Sequence, residues 1–147
     1  MKLATIGFVL CGLLGCGQGP ELVEVTGRLH IAGTPLANVR IEFLPEAATA
    51  SDRDLPASNG VTDDEGRFRL ATHEGMAGAI VGEHRVILND LAAAGTATNK
   101  EQEDQVIATP LPAPRFSGDF RIAAKTPLRA TITGSQPSIE IDLAEVK

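Results

Sequence analysis

Cys16 is the residue of this sequence with the clearest setting for covalent chemistry. It is one of two cysteines, with Cys11, in a chain of 147 residues. Lys2 and the mostly apolar run from Leu3 to Leu14 precede it, which is the pattern of a secretory signal. The run is shorter than the roughly 18 apolar residues that a membrane-spanning helix needs. The alternatives are an ordinary secretory signal with a chance cysteine and a buried apolar N-terminal strand.

The residues before Cys16 resemble the lipobox of bacterial lipoproteins. Leu13 stands three residues before Cys16, and the small Gly15 stands immediately before it. The resemblance implies that diacylglycerol is attached to the Cys16 thiol and that the chain is cleaved between Gly15 and Cys16. Cys11 does not fit, because a bulky leucine precedes it. Leu14 departs from the pattern, since smaller residues are commoner at that position.

Lipidation at Cys16 agrees with the cysteine count. An exported chain with one remaining cysteine forms no internal disulfide, and acylation removes its free thiol. One acyl chain anchors only marginally, whereas two or three hold a protein durably. We therefore predict a signal peptide at 1–15, a lipidated cysteine and flexible linker at 16–21, and one domain at 22–147. Gly17, in place of an aspartate, resembles the default sorting to the outer membrane, on its periplasmic side.

The three histidines, His30, His73 and His84, are the side chains that titrate near neutral pH. They lack the short ligand spacings of zinc sites, so no metal is expected. His30 lies on the polar side of its strand pattern and His73 in a turn. His84 shares the apolar side of its strand, which predicts a partly buried, hydrogen-bonded ring.

Catalytic patterns are also missing from the sequence. It has no serine in a nucleophile elbow, no glycine loop for phosphates, and no free thiol after lipidation. The acidic run Asp63 to Glu65 lacks the oxygen ligands spaced over about twelve residues of an EF-hand, and Gly66 follows it, so we interpret it as a turn. We predict a protein that is not an enzyme and has no cofactor.

Charge and aromatic content exclude two classes of binding. The net charge is −6, without a basic block, so binding to nucleic acid is not expected. The chain has no Trp and no Tyr, which removes the rings that most often stack on sugars or bases.

Alternating apolar and polar residues predict short strands through most of the chain. The first runs from Val23 to Ile31, turns at 33–35, and continues as a hairpin-like partner from Val39 to Phe43. Further strands flank the 63–66 turn, cover 84–88, and form two runs at 128–132 and 139–143. No helix separates most of these strands, so the pattern favours an all-β fold, a seven-stranded antiparallel β-sandwich.

Residues 89–114 interrupt this pattern and form a long loop. Asn99 begins a polar cluster that ends at Gln105, and it could cap one or two helical turns. Loops of this length in a compact domain are usually functional or mobile. A disordered excursion is the alternative.

The body of the chain, from Leu22 to Leu143, resembles the transthyretin-like, carboxypeptidase regulatory-like domain of short lipoproteins of planctomycete-type bacteria. The motifs that carry the resemblance are Val25–Leu29, Gly33–Val39, Thr62–Phe68, Gly82–Val86 and the closing pair of strands. The resemblance implies a seven-stranded sandwich with a binding or structural role. The enzymatic relative, transthyretin-like hydroxyisourate hydrolase, carries a C-terminal Tyr-Arg-Gly-Ser motif, which this tyrosine-free chain lacks.

Two functions follow as hypotheses. The first is a membrane-anchored envelope lipoprotein whose sandwich and 89–114 loop face other envelope proteins, with the lipid anchor as its contact with the membrane. The second is a carrier of an unidentified small-molecule ligand in an inter-sheet or oligomer cavity. A sealed sandwich counts against the carrier, and a concave apolar cavity favours it. A hydrolase is a third and weaker hypothesis.

Overall fold

A computed structural model of the protein describes residues 21–46, 55–93, 112–135 and 138–146. The described residues are all β, apart from a short 3-10 helix, Gly118–Arg121. Their strands are β1 Leu22–Val23, β2 Thr26–Ile31, β3 Thr34–Pro35, β4 Val39–Pro45, β5 Ser58–Val61, β6 Arg67–Arg69, β7 Ala71–Thr72, β8 Ala79–Ile80, β9 Gly82–Asp90, β10 Arg129–Ile132 and β11 Ile139–Asp142. In this part of the chain no helix is long and apolar enough to span a membrane.

The strands form two main sheets and a small ribbon. The larger sheet has five strands in the order β10, β9, β4, β5, β7, and all its pairs are antiparallel. The smaller sheet has the order β11, β2, β3, with β6 also paired to β2. Strands β1 and β8 form a separate antiparallel pair. This arrangement confirms the all-β part of the prediction and is consistent with a β-sandwich.

Alternating burial explains why the longest strands form where the sequence predicts them. In β4, Val39, Ile41 and Phe43 are fully buried, and the residues between them face outward. In β9, Val86 and Leu88 lie on the buried side. Burying one such side chain contributes about 1.5–3 kcal/mol, so a register shift by one residue would cost several of these contributions. The core cluster draws on both sheets and includes Phe120 of the 3-10 helix.

The predicted hairpin between the first two long strands is wrong. Strand β2 turns back through Ala32 and Gly33, which both have positive φ, and its hairpin partner is the two-residue strand β3. Such two-residue turns suit tight hairpins. The chain then passes Asn38, with φ of 56°, and β4 joins the larger sheet against β9. Alternation alone gave no sign of which sheet each strand would join.

The closing strands also depart from the purely antiparallel prediction. Strand β11 pairs with β2 in parallel, with Ile139 opposite Gly27 and Asp142 opposite His30. Strand β10 belongs to the larger sheet and β11 to the smaller one. The two predicted runs are therefore strands, but in different sheets.

A close approach in the smaller sheet requires glycine at position 27. Gly27 faces Phe68 across the β2–β6 pair. A Cβ on Gly27 would lie only 2.4 Å from the Phe68 ring and 2.4 Å from the backbone oxygen of Ile139. Real Cβ contacts are not this short, so the glycine allows the ring to cover the strand backbone.

The strand register defines two ends of the sandwich. At the first, which we call the N-terminal end, the Val81 N–H donates to the backbone oxygen of Glu21. At the opposite end, the distal end, β4 begins beside the last residue of β9. The backbone N–H of Leu91 there donates to Asn38, whose own N–H donates to Thr62. Turn 62–66 and both described ends of the long loop therefore lie at the distal end.

Candidate functional site

An ion pair at the distal end joins the two described ends of the long loop. Arg115 donates from Nε to Asp90 Oδ2 at 2.9 Å and from Nη2 to Asp90 Oδ1. Nη2 also donates to the backbone oxygen of Ala37 at 2.8 Å. Asp90 Oδ1 accepts the backbone N–H groups of Ala92 and Ala93. We call Asp90 and Arg115 the loop clamp, because one carboxylate organises the departure of the loop and its return.

Burial makes the loop clamp stronger than an ordinary surface pair. The Asp90 side chain is 6% exposed and that of Arg115 is 31% exposed. Hydrogen bonds from the Arg115 side chain hold the pKa of Asp90 below its usual range, against the opposing effect of partial burial. Charge-assisted, bidentate pairs of this kind fix geometry as well as adding stability. The loop therefore begins and ends at a rigid base.

A second feature is a pair of adjoining open clefts at one side of the sandwich, the first between the edge strands β10 and β11 and the second beside the 3-10 helix. One part, about 400 Å³, is lined by Ala130, Ile139 and Val146 among others. A second part, about 430 Å³, is lined by Ile31, Phe116 and the same Val146. We call the two together the edge cleft. Its volume lies within the range of about 300–1,000 Å³ typical of small-molecule sites.

The lining of the edge cleft connects with the core. Five of the apolar side chains that are only partly buried against the core line it: Ile31, Phe116, Ala130, Ile139 and Val146. Strand β10 stands at the edge of the larger sheet, and β11 at the edge of the smaller one. The cleft is therefore where the two layers leave apolar surface open to solvent, whereas the core between the sheets is packed with buried side chains.

The rim of the edge cleft carries more negative than positive charge. Four carboxylates belong to its lining: Asp119, Glu140, Asp142 and Glu145. Two cations belong to it, and both are already paired. Lys125 lies 3.7 Å from Asp119, and Arg129 lies 3.2 Å from Glu46, which it shares with Arg85. Among the described residues, Glu145 has no ion-pair partner.

His30 lies beside the cleft and between two carboxylates. Its Nε2 is 3.5 Å from Glu140 Oε2, and its Nδ1 is 3.2 Å from Asp142 Oδ2. The second distance lacks the angles of a hydrogen bond, so Nδ1 is buried without a hydrogen-bond partner. The two carboxylates approach different ring nitrogens and do not converge on one point. The described residues hold no group of three or more His, Cys, Asp or Glu side chains placed to bind a metal ion.

Asp142 has a structural task beside His30. Its Oδ1 accepts the backbone N–H groups of Ala144 and Ala32. The bond from Ala144 contributes most to holding the pKa of Asp142 below its usual range, and His30 adds to the effect. Because Ala32 belongs to the tight turn after β2, Asp142 joins that turn to the C-terminal strand.

The other two histidines lie where the sequence predicts them. His73 is exposed in the turn after β7. His84 is 1% exposed, its Nδ1 is 3.1 Å from the backbone oxygen of Gly82, and its ring lies 5.9 Å from that of Phe43. Burial lowers the pKa of His84, because a charged ring would lose its hydration there.

The acidic run forms the predicted turn. Asp63 Oδ1 accepts the N–H groups of Glu65 and Arg67, and Asp63 Oδ2 accepts Nε of Arg67 at 2.9 Å. Burial acts to raise the pKa of Asp63, but the bonds from Arg67 outweigh it and the pKa is lowered. The carboxylate that a metal would need is thus used by the turn. The flanking strands, β5 and β6, belong to different sheets.

A further groove, on the outer face of the smaller sheet, contains several arginines. Its volume is about 500 Å³, and its lining includes Arg28, Arg67 and Arg69. Arg67 pairs with Asp63 and Glu65, and Arg69 pairs with a glutamate of the β1–β2 segment. These pairs neutralise most of the positive charge, so the groove does not single out an anionic ligand.

The predicted lipidation site lies outside the described residues. This applies to Cys16 and Gly15, to the signal peptide at 1–15, to most of the linker, and to the polar cluster from Asn99 to Gln105.

The loop clamp and the edge cleft were missed by sequence reasoning. Charged residues at both ends of an unpatterned segment were the available signal for the clamp. The edge cleft had no signal in the sequence, since it depends on which sheet β10 and β11 join.

Comparisons with known proteins found no matching family model, no matching curated protein and no matching solved structure. The resemblance to the transthyretin-like domain therefore rests on the sequence motifs alone and stays a prediction.

Proposed function

We propose that this protein is a non-catalytic envelope lipoprotein, held in the membrane by lipid on Cys16. Its domain, a transthyretin-like sandwich of seven principal strands, acts as a binding or structural module. One observation supports this arrangement most directly. The chain enters the fold at the N-terminal end, and the long loop leaves and returns at the distal end. A module anchored at one end would present its loop at the other.

The short spacer limits the distance between the domain and the membrane. Residues 17–21 separate Cys16 from β1. Five extended residues span at most roughly 18 Å. The N-terminal end would therefore stay close to the bilayer surface, while turn 62–66 and the loop clamp would face away from it, toward other proteins of the envelope.

Replacing the anchoring cysteine tests the first part of this proposal. Cys16→Ser is expected to prevent lipid attachment and cleavage, release the domain from the lipoprotein fraction, and leave the mass of the leader on the protein. Cys11→Ser is the matched control, because Cys11 would leave with the signal peptide. Fractionation combined with intact-mass measurement gives the readout. Unchanged mass and membrane association in Cys16→Ser would contradict lipidation at this residue.

Crosslinking in cells tests the orientation. A photo-crosslinking amino acid is placed at Asp64 in the distal turn and, as a control, at Glu74, which is exposed in the turn after β7. We expect specific envelope proteins, identified by mass spectrometry, at position 64 and lipid or no protein adduct at position 74. Identical adducts at both positions would contradict an outward-facing distal end.

A carrier of a small molecule is the second candidate function. The observation that favours it is the edge cleft, a concave opening at the side of the sandwich with an apolar lining and a charged rim. Side chains pack the space between the sheets, so the carrier hypothesis moves from an inter-sheet cavity to this edge. Both functions are compatible with an anchor at Cys16.

A further inference from the structure

We propose that the edge cleft binds an elongated apolar molecule with a cationic end. This inference rests on the carrier function and is independent of the lipid anchor. The expected ligand is a single-chain cationic amphiphile.

The apolar part of the site is the lining shared by the two regions of the edge cleft. Val146 lines both regions, so they lie side by side along the C-terminal segment. Phe116 and Phe120 form an edge-to-face pair in its wall, with ring centroids 6.0 Å apart. An alkyl chain lying along this lining would cover apolar side chains that are already half-buried. The gain is about 25 cal/mol for each Å² removed from water.

The charged part of the site selects the sign of the charge on the ligand. Four carboxylates and two cations line the rim; Lys125 pairs with Asp119, and Arg129 shares Glu46 with Arg85, so the lining carboxylates outnumber the lining cations by two. Glu145 is exposed, adjoins Val146 in the chain, and lines the same cleft. A positive group beside Glu145 would gain an ion pair, whereas an anionic group would meet uncompensated negative charge. Charge complementarity thus favours an ammonium or guanidinium end.

Two probes with the same alkyl chain test the proposal: decyltrimethylammonium and decanoate, both below their micelle concentrations. The protein is the full-length chain with Cys16→Ser, which carries no lipid. Binding is measured by calorimetry, and its location by amide chemical shifts. We expect decyltrimethylammonium to bind about tenfold more tightly than decanoate, with shifts concentrated at 116–120, 128–131 and 139–146.

Matched variants locate the charge and the apolar contact. Glu145→Gln is expected to weaken the binding of decyltrimethylammonium about two- to fivefold, which is the range for loss of an exposed ion pair. Glu74→Gln makes the same change of charge at the other end of the fold and should leave affinity unchanged. Val146→Ser is expected to weaken the binding of both probes to the same extent. Circular dichroism confirms that each variant is folded, and Glu145 is exposed, so its substitution leaves the core intact.

Several results would overturn the proposal. Equal affinity for the two probes, or equal effects of Glu145→Gln and Glu74→Gln, would exclude charge selection by the rim. Absence of binding would exclude a site for such amphiphiles. Sedimentation of the probe-free chain as a dimer that Val146→Asp dissociates would show that a second copy covers the cleft. None of these results bears on lipidation, which the mass of Cys16→Ser tests separately.

Discussion

Removing Arg115 from the loop clamp is expected to destabilise the domain substantially. Arg115→Met keeps an apolar stem but removes both side-chain hydrogen bonds to Asp90 and the one to the backbone oxygen of Ala37. It leaves the Asp90 carboxylate, 6% exposed, without its counter-ion. Breaking a buried pair by removing one partner costs about 3–5 kcal/mol. The Arg115 side chain is 31% exposed, so partial hydration reduces this cost to about 2–3 kcal/mol.

Urea unfolding followed by far-ultraviolet circular dichroism measures this loss, since the chain has no Trp or Tyr for fluorescence. With a slope of about 1–3 kcal/mol per molar urea, the midpoint should fall by about 0.7–3 M. Asp90→Asn and the double variant complete a cycle, in which the double variant should lose little more than either single variant. A loss below about 0.5 kcal/mol in Arg115→Met, or additive losses in the cycle, would refute the clamp as a stabilising pair.

The pH dependence of the clamp has a definite sign. In the folded protein the pKa of Asp90 lies below its ordinary value of 3.8. Its contribution to stability is therefore present above pH 3.8 and is lost as the pH falls through the lower, folded-state pKa. The difference in stability between the wild type and Arg115→Met should shrink over that acidic range. A difference that stays constant down to full protonation of Asp90 would contradict this linkage.

Three further results are expected. Gly27→Ala should lower the free energy of unfolding by about 1–3 kcal/mol, because its Cβ would collide with the facing ring and a backbone oxygen. Gly118→Ala, where a Cβ would meet open space, should change the free energy of urea unfolding little. His84→Gln should flatten the pH dependence of stability. Burial lowers the pKa of His84 below 6.5, so the wild type loses stability as the pH falls below 6.5. Equal slopes of stability against pH in the wild type and the variant would disprove this. Asp63→Ala should loosen the 62–66 turn, because it removes the carboxylate that accepts the N–H groups of Glu65 and Arg67. Amide hydrogen exchange at 65–67 should become faster, and unchanged exchange would contradict this.

Local patterns predicted the elements well where burial alternates. Val39, Ile41 and Phe43 lie on one side of a strand, and only that register buries all three. The turn at Asp63 was also predictable, because the side chain of Asp63 bonds to backbone groups two and four residues further along. His84 followed its apolar neighbours into the core. Each of these features depends on residues close together in the chain.

Pairing between strands was not predictable in the same way. The hairpin expected between β2 and β4 failed because both strands bury one face, and either sheet satisfies that requirement. The positive φ of Asn38, which redirects the chain, leaves no mark on the hydrophobic pattern. The parallel pairing of β11 with β2 likewise joins strands far apart in the sequence, and the hydrophobic pattern carries no sign of its direction. Sequence separation of more than a hundred residues between Ala32 and Asp142 hides their contact from any local pattern.

The sequence by itself determined the all-β class, the buried faces of the strands, the turn at Asp63, and the prediction of a lipid anchor at Cys16. These depend on periodicity, on turn chemistry and on a contiguous motif. Only the tertiary structure decided that the long loop is held by Asp90 and Arg115 at the end opposite to β1, and that an acid-rimmed apolar cleft opens between β10 and β11. The physical reason is that both features join residues brought together by sheet assignment, which depends on the packing of the whole core.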